Sequence, residues 1–558
     1  MPSQSNKKGP KRISGSAAIV KALENLGVEV IFGYPGGANL PIYDKLRNSP
    51  IRHVMARHEQ GAAHMADGYA RVTKKPGVCL ATSGPGATNL VTGLANAMLD
   101  STPLVAITGQ ISRELIGTDA FQEVDCINIT MPVTKHNELI RYEKDLIPAI
   151  ESAFYVANSG RKGPVLIDLP VDVLNANYPH EFQHKINLPG YKPTLKGNIG
   201  QIKKALKALK NAERPLILFG GGVVLSDSVP EFLHFIRMTQ IPVVRTLMGT
   251  GVIPHNDPLF AGMVGTHGSS RANKVLSRDA DVILMMGTRL GDRSFVKKKP
   301  VFAKGAKLIH LDIDPAEIGK NSKVDIPIVG DIKEVLSDMN ERITKKPFSK
   351  EKPWLTVSKK KTKLSTRDEA EILEDIFTSL SSFDMKLNVS TDVGRHQMWA
   401  NHFCTNPLHL PLLTSGGLGT MGFGLPAAIG AWFAEPEVPV VNISGDGSFM
   451  MNMQEFAVAV EHQIPLTVII ANDARLSMIR ELQHSYYKDR YTVHDLGRSV
   501  SYKKIAEAMG GDGVEITHKN QITAAIEQAI SNGRPTIIDF NLENISKSSH
   551  LSWDTKAS

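Results

Sequence analysis

Short apolar runs alternate with amphipathic stretches along most of this chain. The clearest case is "VPVVNISGDGSFMMNMQEFAVAVEHQIPLTVIIANDARL", residues 438–476. Residues 440–444 and 466–471 look like buried strands, and residues 454–462 between them carry apolar side chains at helical spacing. This pattern predicts a βαβ unit whose strands run parallel and finish at the same sheet edge. Asp446, between Gly445 and Gly447, and Asp473 then stand side by side where open α/β sheets bind ligands.

The alternation recurs in three segments. Two polar, proline-containing stretches separate them: "NYPHEFQHKINLPGYKPTLKGN" (residues 177–198) and a stretch from about residue 344 to 370. Three α/β domains are expected, at residues 14–178, 195–345 and 368–545. "GPVLIDLP" (163–170) closes the first segment and "GRPTIIDF" (533–540) closes the third, which hints that the outer domains are related.

Composition narrows the class. A chain of 558 residues is too long for one core and fits three or four domains. Its 42% apolar and 22% charged content is ordinary for a globular protein. No apolar run reaches the roughly 18 residues needed to cross a bilayer, so no membrane association is expected. The start, "MPSQSNKKGPKRIS", is basic but lacks the apolar centre of a signal peptide. Cys79, Cys126 and Cys404 lie far apart and form neither a disulfide framework nor a zinc pattern, which fits a reducing cytoplasm. Much of the net charge of +8 comes from the N-terminal tail and from the linker-like "KKPFSKEKPWLTVSKKKTK" (345–363). No basic and aromatic residues interleave, which argues against nucleic-acid partners.

Chemistry gathers at the strand–turn–helix junctions. Two oxygen donors beside a glycine turn suit Mg²⁺ carrying a diphosphate, and Gly445 and Gly447 allow the backbone to approach it. In the first segment "YPGGANLPIYDKL" (34–46, with Gly37) follows "VEVIFG" and opens a helix. Glu59, in "RHEQGAAHMADGYAR", begins a helix rich in small residues, a position that the helix dipole alone would favour. "ATSGPGATNL" (81–90) is either a ligand contact or a tight turn. In the middle segment "RPLILFGGGVV" ends a strand in three glycines, a weak nucleotide signal by itself.

Taken in order, "YPGG", "RHEQGAAHMADGYAR", "SGPGATN", "GTDAFQE", "PVTKHN", "HQMW", "SGGLGTMGFGLPAAIGA" and "GDGSF" resemble the acetohydroxyacid synthase (acetolactate synthase) large-subunit family of thiamine diphosphate enzymes. The resemblance runs from about residue 14 to 540 and implies three doubly wound parallel-sheet α/β domains. It implies that Glu59 hydrogen-bonds the cofactor's aminopyrimidine and starts the relay that ionises the thiazolium. Met421 would prop the cofactor in a bent shape. Asp446, Asp473 and the carbonyl of Arg475 would ligate Mg²⁺. Gly37, His396, Gly445, Gly447 and Ser448 fall in the matching cofactor motifs. Gln122, Lys135 and Arg293 would line the substrate channel, with Arg293 suited to a carboxylate.

In the middle segment "RTLMGTG", "GTHGSS", "GTRLGDRS", "LIHLDIDPAEIGK" and "VGDI" resemble flavin-binding segments. FAD is therefore expected on Gly220, Gly221, Thr246, His267, Arg289, Asp312 and Asp331. Pyruvate is the implied donor, and pyruvate or 2-ketobutyrate the acceptor. A homodimer or homotetramer with cofactor sites shared between chains is implied, with room for a small regulatory subunit.

Several positions depart from the pattern. Leu482 stands where biosynthetic members carry tryptophan, which weakens the expectation of 2-ketobutyrate. Thr266 replaces a common methionine and Arg395 a common glutamine, while the tail after residue 540 lacks the usual closing sequence. The rival readings are a flavin-dependent pyruvate oxidase, another thiamine-dependent decarboxylase or acyltransferase, and a non-catalytic relative.

Overall fold

A computed structural model describes residues 12–179, 186–294, 301–345, 347–348, 353–355, 368–404 and 412–543. The N-terminal tail before residue 12, the C-terminal tail from residue 544, and parts of both linkers lie outside these. The described chain contains three six-stranded parallel sheets. The first comprises β1 (Val30–Gly33), β2 (Arg52–Met55), β3 (Gly77–Ala81), β4 (Leu104–Gln110), β5 (His136–Leu139) and β6 (Pro164–Pro170). Their order is β2-β1-β3-β4-β6-β5. A short antiparallel pair, Arg12–Ser14 with Asn177–Pro179, ties the two ends of this domain together.

The middle sheet holds β7 (Pro215–Phe219), β8 (Val243–Arg245), β9 (Phe260–Met263), β10 (Val282–Met286), β11 (Lys307–Asp312) and β12 (Ile326–Val329). It runs β9-β8-β7-β10-β11-β12, the strand order of dinucleotide-binding sheets. The last sheet holds β13 (Asn388–Thr391), β14 (Leu412–Thr414), β15 (Val440–Gly445), β16 (Leu466–Asn472), β17 (Asp512–Ile516) and β18 (Thr536–Asn541). Its order, β14-β13-β15-β16-β18-β17, repeats that of the first sheet strand for strand. The two closing phrases noticed in the sequence are β6 and β18, the fifth-placed strands of these equivalent sheets.

Parallel sheets are covered on both faces, so their strands read as unbroken apolar runs. In the middle domain alternate residues feed two separate cores. Ile217, Phe219, Val243, Leu284 and Met286 point to one, and Leu216, Leu218, Val244, Ile283 and Met285 to the other. The first domain, with residues 429–435, forms one compact unit, and the middle and last domains form a second. Within the second unit Arg245, although 1% exposed, donates to the Asn401 carbonyl (2.7 Å) and so joins the middle domain to the last. Among the described residues no helix is long and apolar enough to cross a membrane, and all three cysteines are buried and free.

Helix α1 (Glu59–Thr73) starts where the His58 ring accepts the Gln60 N–H (3.1 Å) and ends at Lys74 in a left-handed conformation. Its small residues let it lie close to its neighbours. A Cβ on Gly77 of β3 would sit 2.1 Å from the Ala66 carbonyl, and one on Gly93 would sit 2.4 Å from the Ala63 Cβ. A buried ion network then fixes its far end: Arg71 Nε meets Asp67 at 2.5 Å and Nη2 meets Asp100 at 2.9 Å, while Asn96 donates to Asp67 at 3.0 Å.

Removing the guanidinium strands two desolvated carboxylates, a loss of about 3–5 kcal/mol. The Arg71→Met variant is therefore expected to lower the urea midpoint of the first domain sharply, and a midpoint like that of the parent would refute this role.

Candidate active site

In a sheet with this strand order the connections after the first and third strands diverge and leave a crevice at the carboxyl edge. In the last domain those strands are β13 and β15. After β13 come Asp392, Val393 and Gly394, then α2 (Arg395–Phe403). After β15 comes Asp446, which opens a helix of its own, Asp446–Asn452. The sequence suggested only a glycine turn here. The helix forms because the Ser448 hydroxyl accepts the Gly445 N–H (3.0 Å) and satisfies one of its free donors.

Asp446 is 3% exposed; one of its oxygens accepts the Gly447 N–H (2.8 Å), and the other, Oδ2, is buried with no hydrogen-bond partner. Asp473 follows the adjacent strand β16, on which Ala471 faces Gly445. Its carboxylate takes the Arg475 N–H (3.2 Å) and the Ser477 hydroxyl. Burial, then the neighbouring Asp473, pushes Asp446 up to about 7. Burial also raises Asp473, opposed by Ser477 and by Arg395. Ala474 is left-handed (φ 58°), and the loop is pinned by Leu476 N to the His494 carbonyl (2.7 Å) and Leu496 N to the Ala474 carbonyl (2.9 Å).

The His396 ring packs on Gly445, where a Cβ would sit 3.1 Å away. Burial drives His396 down to about 4, so the ring is neutral, and its Nε2 is buried without a partner. Asp446 Oδ2 is thus an unpartnered buried carboxylate oxygen at the crevice, which suits a hard cation. Among the described residues no group of three or more His, Cys, Asp or Glu is placed to hold a metal ion by itself. Two carboxylates with backbone and non-protein oxygens is a donor set suited to Mg²⁺. A Cβ on Gly447 would meet Leu476 at 2.7 Å, Leu496 at 3.1 Å and Met421 at 3.8 Å, which makes these three an apolar wall beside Asp446.

The motifs in the sequence do not single out Asp392, although a carboxylate directly after the first strand of the crevice is a readable signal. It is 1% exposed and accepts N–H groups from Val393 (2.9 Å), Gly422 (2.7 Å) and Gly424 (3.1 Å). It therefore shapes the loop that carries Met421.

The first domain repeats the plan. Gly36, after β1, lies so close to Thr82, after β3, that a Cβ would sit 2.5 Å away. Gly37, the glycine singled out above, has open space at that position. Glu59 is 8% exposed and accepts from Asn89 Nδ2 (3.0 Å), and its Oε1 lies 3.3 Å from where a Cβ on Gly86 would be. Gln122 is left-handed (φ 62°) and rests on the "SGPG" turn, 2.9 Å from a Cβ placed on Gly84.

Lys135 does not join this group. It precedes β5, with its N–H on the Pro164 carbonyl at the amino end of β6, the opposite edge of the sheet. Its ammonium donates to the carbonyls of Val156 and Ser159 and to the Tyr191 hydroxyl (2.8 Å). These contacts fasten the end of the helix Leu146–Asn158.

In the middle domain a Cβ on Gly220 would meet the Gly287 carbonyl at 2.5 Å, so packing between strand ends already explains that glycine, and Gly221 faces Met248 (3.1 Å). Thr246 N–H continues the β8–β7 pairing through the Phe219 carbonyl (3.0 Å). Asp312 is buried and accepts the Asp314 N–H (3.0 Å). Asp331 caps the helix Ile332–Lys345 through the Lys333 (2.9 Å) and Glu334 (3.3 Å) N–H groups. The Arg289 carbonyl accepts from Asn321 (2.9 Å). The His267 carbonyl is held by His402 Nε2 (2.6 Å), and burial, opposed by Glu481 and reinforced by Arg293, lowers the His267 pKa. Arg293 is exposed, its carbonyl held by the Thr266 N–H (3.1 Å).

Crevice, carboxylate pair and dry glutamate define a class. Family models for thiamine pyrophosphate enzymes match residues 13–129 (N-terminal TPP binding domain), 202–339 (central domain) and 392–540 (C-terminal TPP binding domain). The chain is 44% identical over 546 residues to a probable acetolactate synthase large subunit of Methanocaldococcus jannaschii, covering 95% of this chain and 92% of that one. It is 44% identical over 564 residues to an acetolactate synthase of Arthrospira platensis (97% and 96%). It is 39% identical over 555 residues to the acetolactate synthase large subunit of Haemophilus influenzae (96% and 95%). The chain belongs to the acetolactate synthase large-subunit family of thiamine pyrophosphate enzymes.

Asp392 yields a pH prediction. Burial raises it to about 7, so the folded protein holds a proton that the unfolded chain releases nearer 4. Its contribution to stability is complete below about 4 and is lost as pH climbs through 7. Denaturant unfolding from pH 5 to 8 should show a smaller decline in Asp392→Asn than in the parent; equal slopes would contradict the assignment.

Proposed function

We propose that this chain is a catalytic subunit that decarboxylates pyruvate and joins the resulting two-carbon unit to a second 2-keto acid, pyruvate itself, to give 2-acetolactate. The observation that carries this reading is the pairing of a buried Glu59 with a buried Asp446–Asp473 pair, each at the crevice of an equivalent sheet. Thiamine diphosphate, when bound, supplies an electron sink for the bond that breaks as carbon dioxide leaves. Asp446, Asp473 and the Arg475 carbonyl would hold Mg²⁺, with His396 and the Gly445–Ser448 turn beside the diphosphate. Met421 and its apolar neighbours keep water from the reacting end. Glu59 would hold a proton at the aminopyrimidine nitrogen, a task for which its low exposure suits it.

Gln122 faces the substrate side, and Arg293 offers a fork to the acceptor's carboxylate. Lys135 has no part. Leu482, 41% exposed on α3 (Ser477–Tyr487), supports pyruvate over 2-ketobutyrate as acceptor, because it offers no large aromatic surface for the longer chain. FAD in the middle domain is supported by the strand order and by Asp312, Thr246, His267 and Arg289 near its carboxyl edge; there it would be structural rather than redox-active. We further infer that two copies combine, with Glu59 of one completing the Mg²⁺ half-site of the other. A regulatory subunit and a larger oligomer are compatible with this arrangement.

Two measurements test it. Glu59→Gln should bind thiamine diphosphate yet lose acetolactate formation by about 10²–10⁴-fold; near-parental activity would end the proposed proton relay. Offered pyruvate and 2-ketobutyrate together, the enzyme should favour acetolactate. A dominant 2-aceto-2-hydroxybutyrate product would reverse the acceptor assignment, and acetate with a reduced acceptor would favour the oxidase reading.

A further inference from the structure

The equivalence of the outer sheets extends to a buried carboxyl that the mechanism does not use. Asp168 on β6 and Asp539 on β18 occupy the same place in the two closing phrases, four residues after Pro164 and four after Pro535, respectively. Asp168 lies opposite Thr108 of β4, and Asp539 opposite Ile470 of β16. Two residues further along those partner strands, each strand ends in a side-chain amide: Gln110 and Asn472. Gln110 Nε2 donates to Asp168 (3.0 Å), and Asn472 Nδ2 donates to Asp539 (2.9 Å). Both carboxyls are almost fully buried, at 1% and 5% exposure.

Each amide then uses its remaining groups on the loop that follows. Gln110 Oε1 accepts the Ile111 N–H (2.9 Å), and Nε2 also donates to the Val124 carbonyl (3.0 Å), two residues beyond Gln122. Asn472 Oδ1 accepts the Ala474 N–H (3.1 Å), which fixes the left-handed residue between Asp473 and Arg475. An amide can rotate by half a turn and exchange its oxygen for its nitrogen. The buried carboxyl removes that freedom, because only the NH₂ end can face it.

We propose that Asp168 and Asp539 are paired positioning residues: each orients one amide, and that amide sets one functional loop, the Gln122 loop for substrate and the Asp473 loop for the metal. The flanking chemistry differs. Asp168 also accepts from the Thr108 hydroxyl (2.7 Å), whereas Asp539 has Asn472, the backbone at Tyr502 and the charge of Glu515 around it. Burial, the leading cause, raises Asp168 to about 7 and Asp539 to about 6. The role assigned to each is to accept the amide N–H.

The proposal rests on the functional reading above, and its test separates the two. Asp168→Ala should raise the KM for pyruvate about tenfold and leave the calorimetric affinity for Mg²⁺–thiamine diphosphate within twofold. Asp539→Ala should do the reverse, weakening calorimetric binding of Mg²⁺–thiamine diphosphate by about 10–100-fold with little change in KM at saturating cofactor. Asp→Asn at either position keeps an acceptor oxygen and should restore part of each loss. Amide hydrogen exchange should quicken at 111–125 in the first variant and at 473–476 in the second. Should the alanine variants fail to fold, the asparagine variants carry the same split in weaker form. Identical profiles for both sites, or no change in either, would overturn the positioning role. A parent protein that binds no thiamine diphosphate would instead overturn the functional reading.

Discussion

Two buried carboxylates, Asp446 and Asp473, stand at the ends of adjacent strands on one sheet edge, and much of the last domain is arranged around the cost of holding them there. Both would ionise readily in water; here desolvation and mutual repulsion oppose it. The protein offsets part of that cost with local N–H donors, with the Ser477 hydroxyl and with the guanidinium of Arg395. It leaves Asp446 Oδ2 and His396 Nε2 without partners. A fold does not keep orphaned polar atoms in its interior without compensation elsewhere, since each costs about 1–3 kcal/mol. A divalent cation at Asp446 and Asp473, as proposed above, would supply such compensation for the carboxylates.

Much of this was legible in the chain. Parallel strands buried on both faces leave continuous apolar runs, so β15, β16 and the residues after them could be read directly. The echo of "GPVLIDLP" in "GRPTIIDF" correctly marked equivalent strands, because burial dictates the same residue types at the same sheet position. What escaped was whatever depends on packing between distant segments. Lys135 sits in a motif-like stretch, yet its side chain is captured by carbonyls at the amino edge, and no local pattern encodes that. Gly36 rather than Gly37 makes the close approach, since Thr82 arrives from another strand. The helix at Asp446–Asn452 was hidden by its glycines and needs Ser448 to begin.

Arg245 marks a different limit. An arginine after two valines in a strand reads as an edge or ligand residue, not as one of the most deeply buried side chains. Its guanidinium meets neutral acceptors: the carbonyls of Thr246 and Asn401, the Thr250 hydroxyl and His255 Nε2. For that last contact His255 must be neutral with its lone pair on Nε2, and burial, reinforced by Arg245, drives its pKa down to about 3. Asn401 lies in the last turn of α2, where unpaired carbonyls carry the negative end of the helix dipole. That partial charge substitutes for a carboxylate.

The consequence reaches the crevice through α2 itself. One end of this helix is held by the middle domain through Arg245 and through His402 on the His267 carbonyl. The other end sets His396 against Gly445. A helix of nine residues is too stiff to bend between these points, so the middle domain fixes where the imidazole stands. This gives the middle domain a mechanical task that requires no redox chemistry of a flavin. It also gives the dinucleotide-type sheet a structural reason to be retained: its loops hold the helix that shapes the crevice of the last domain.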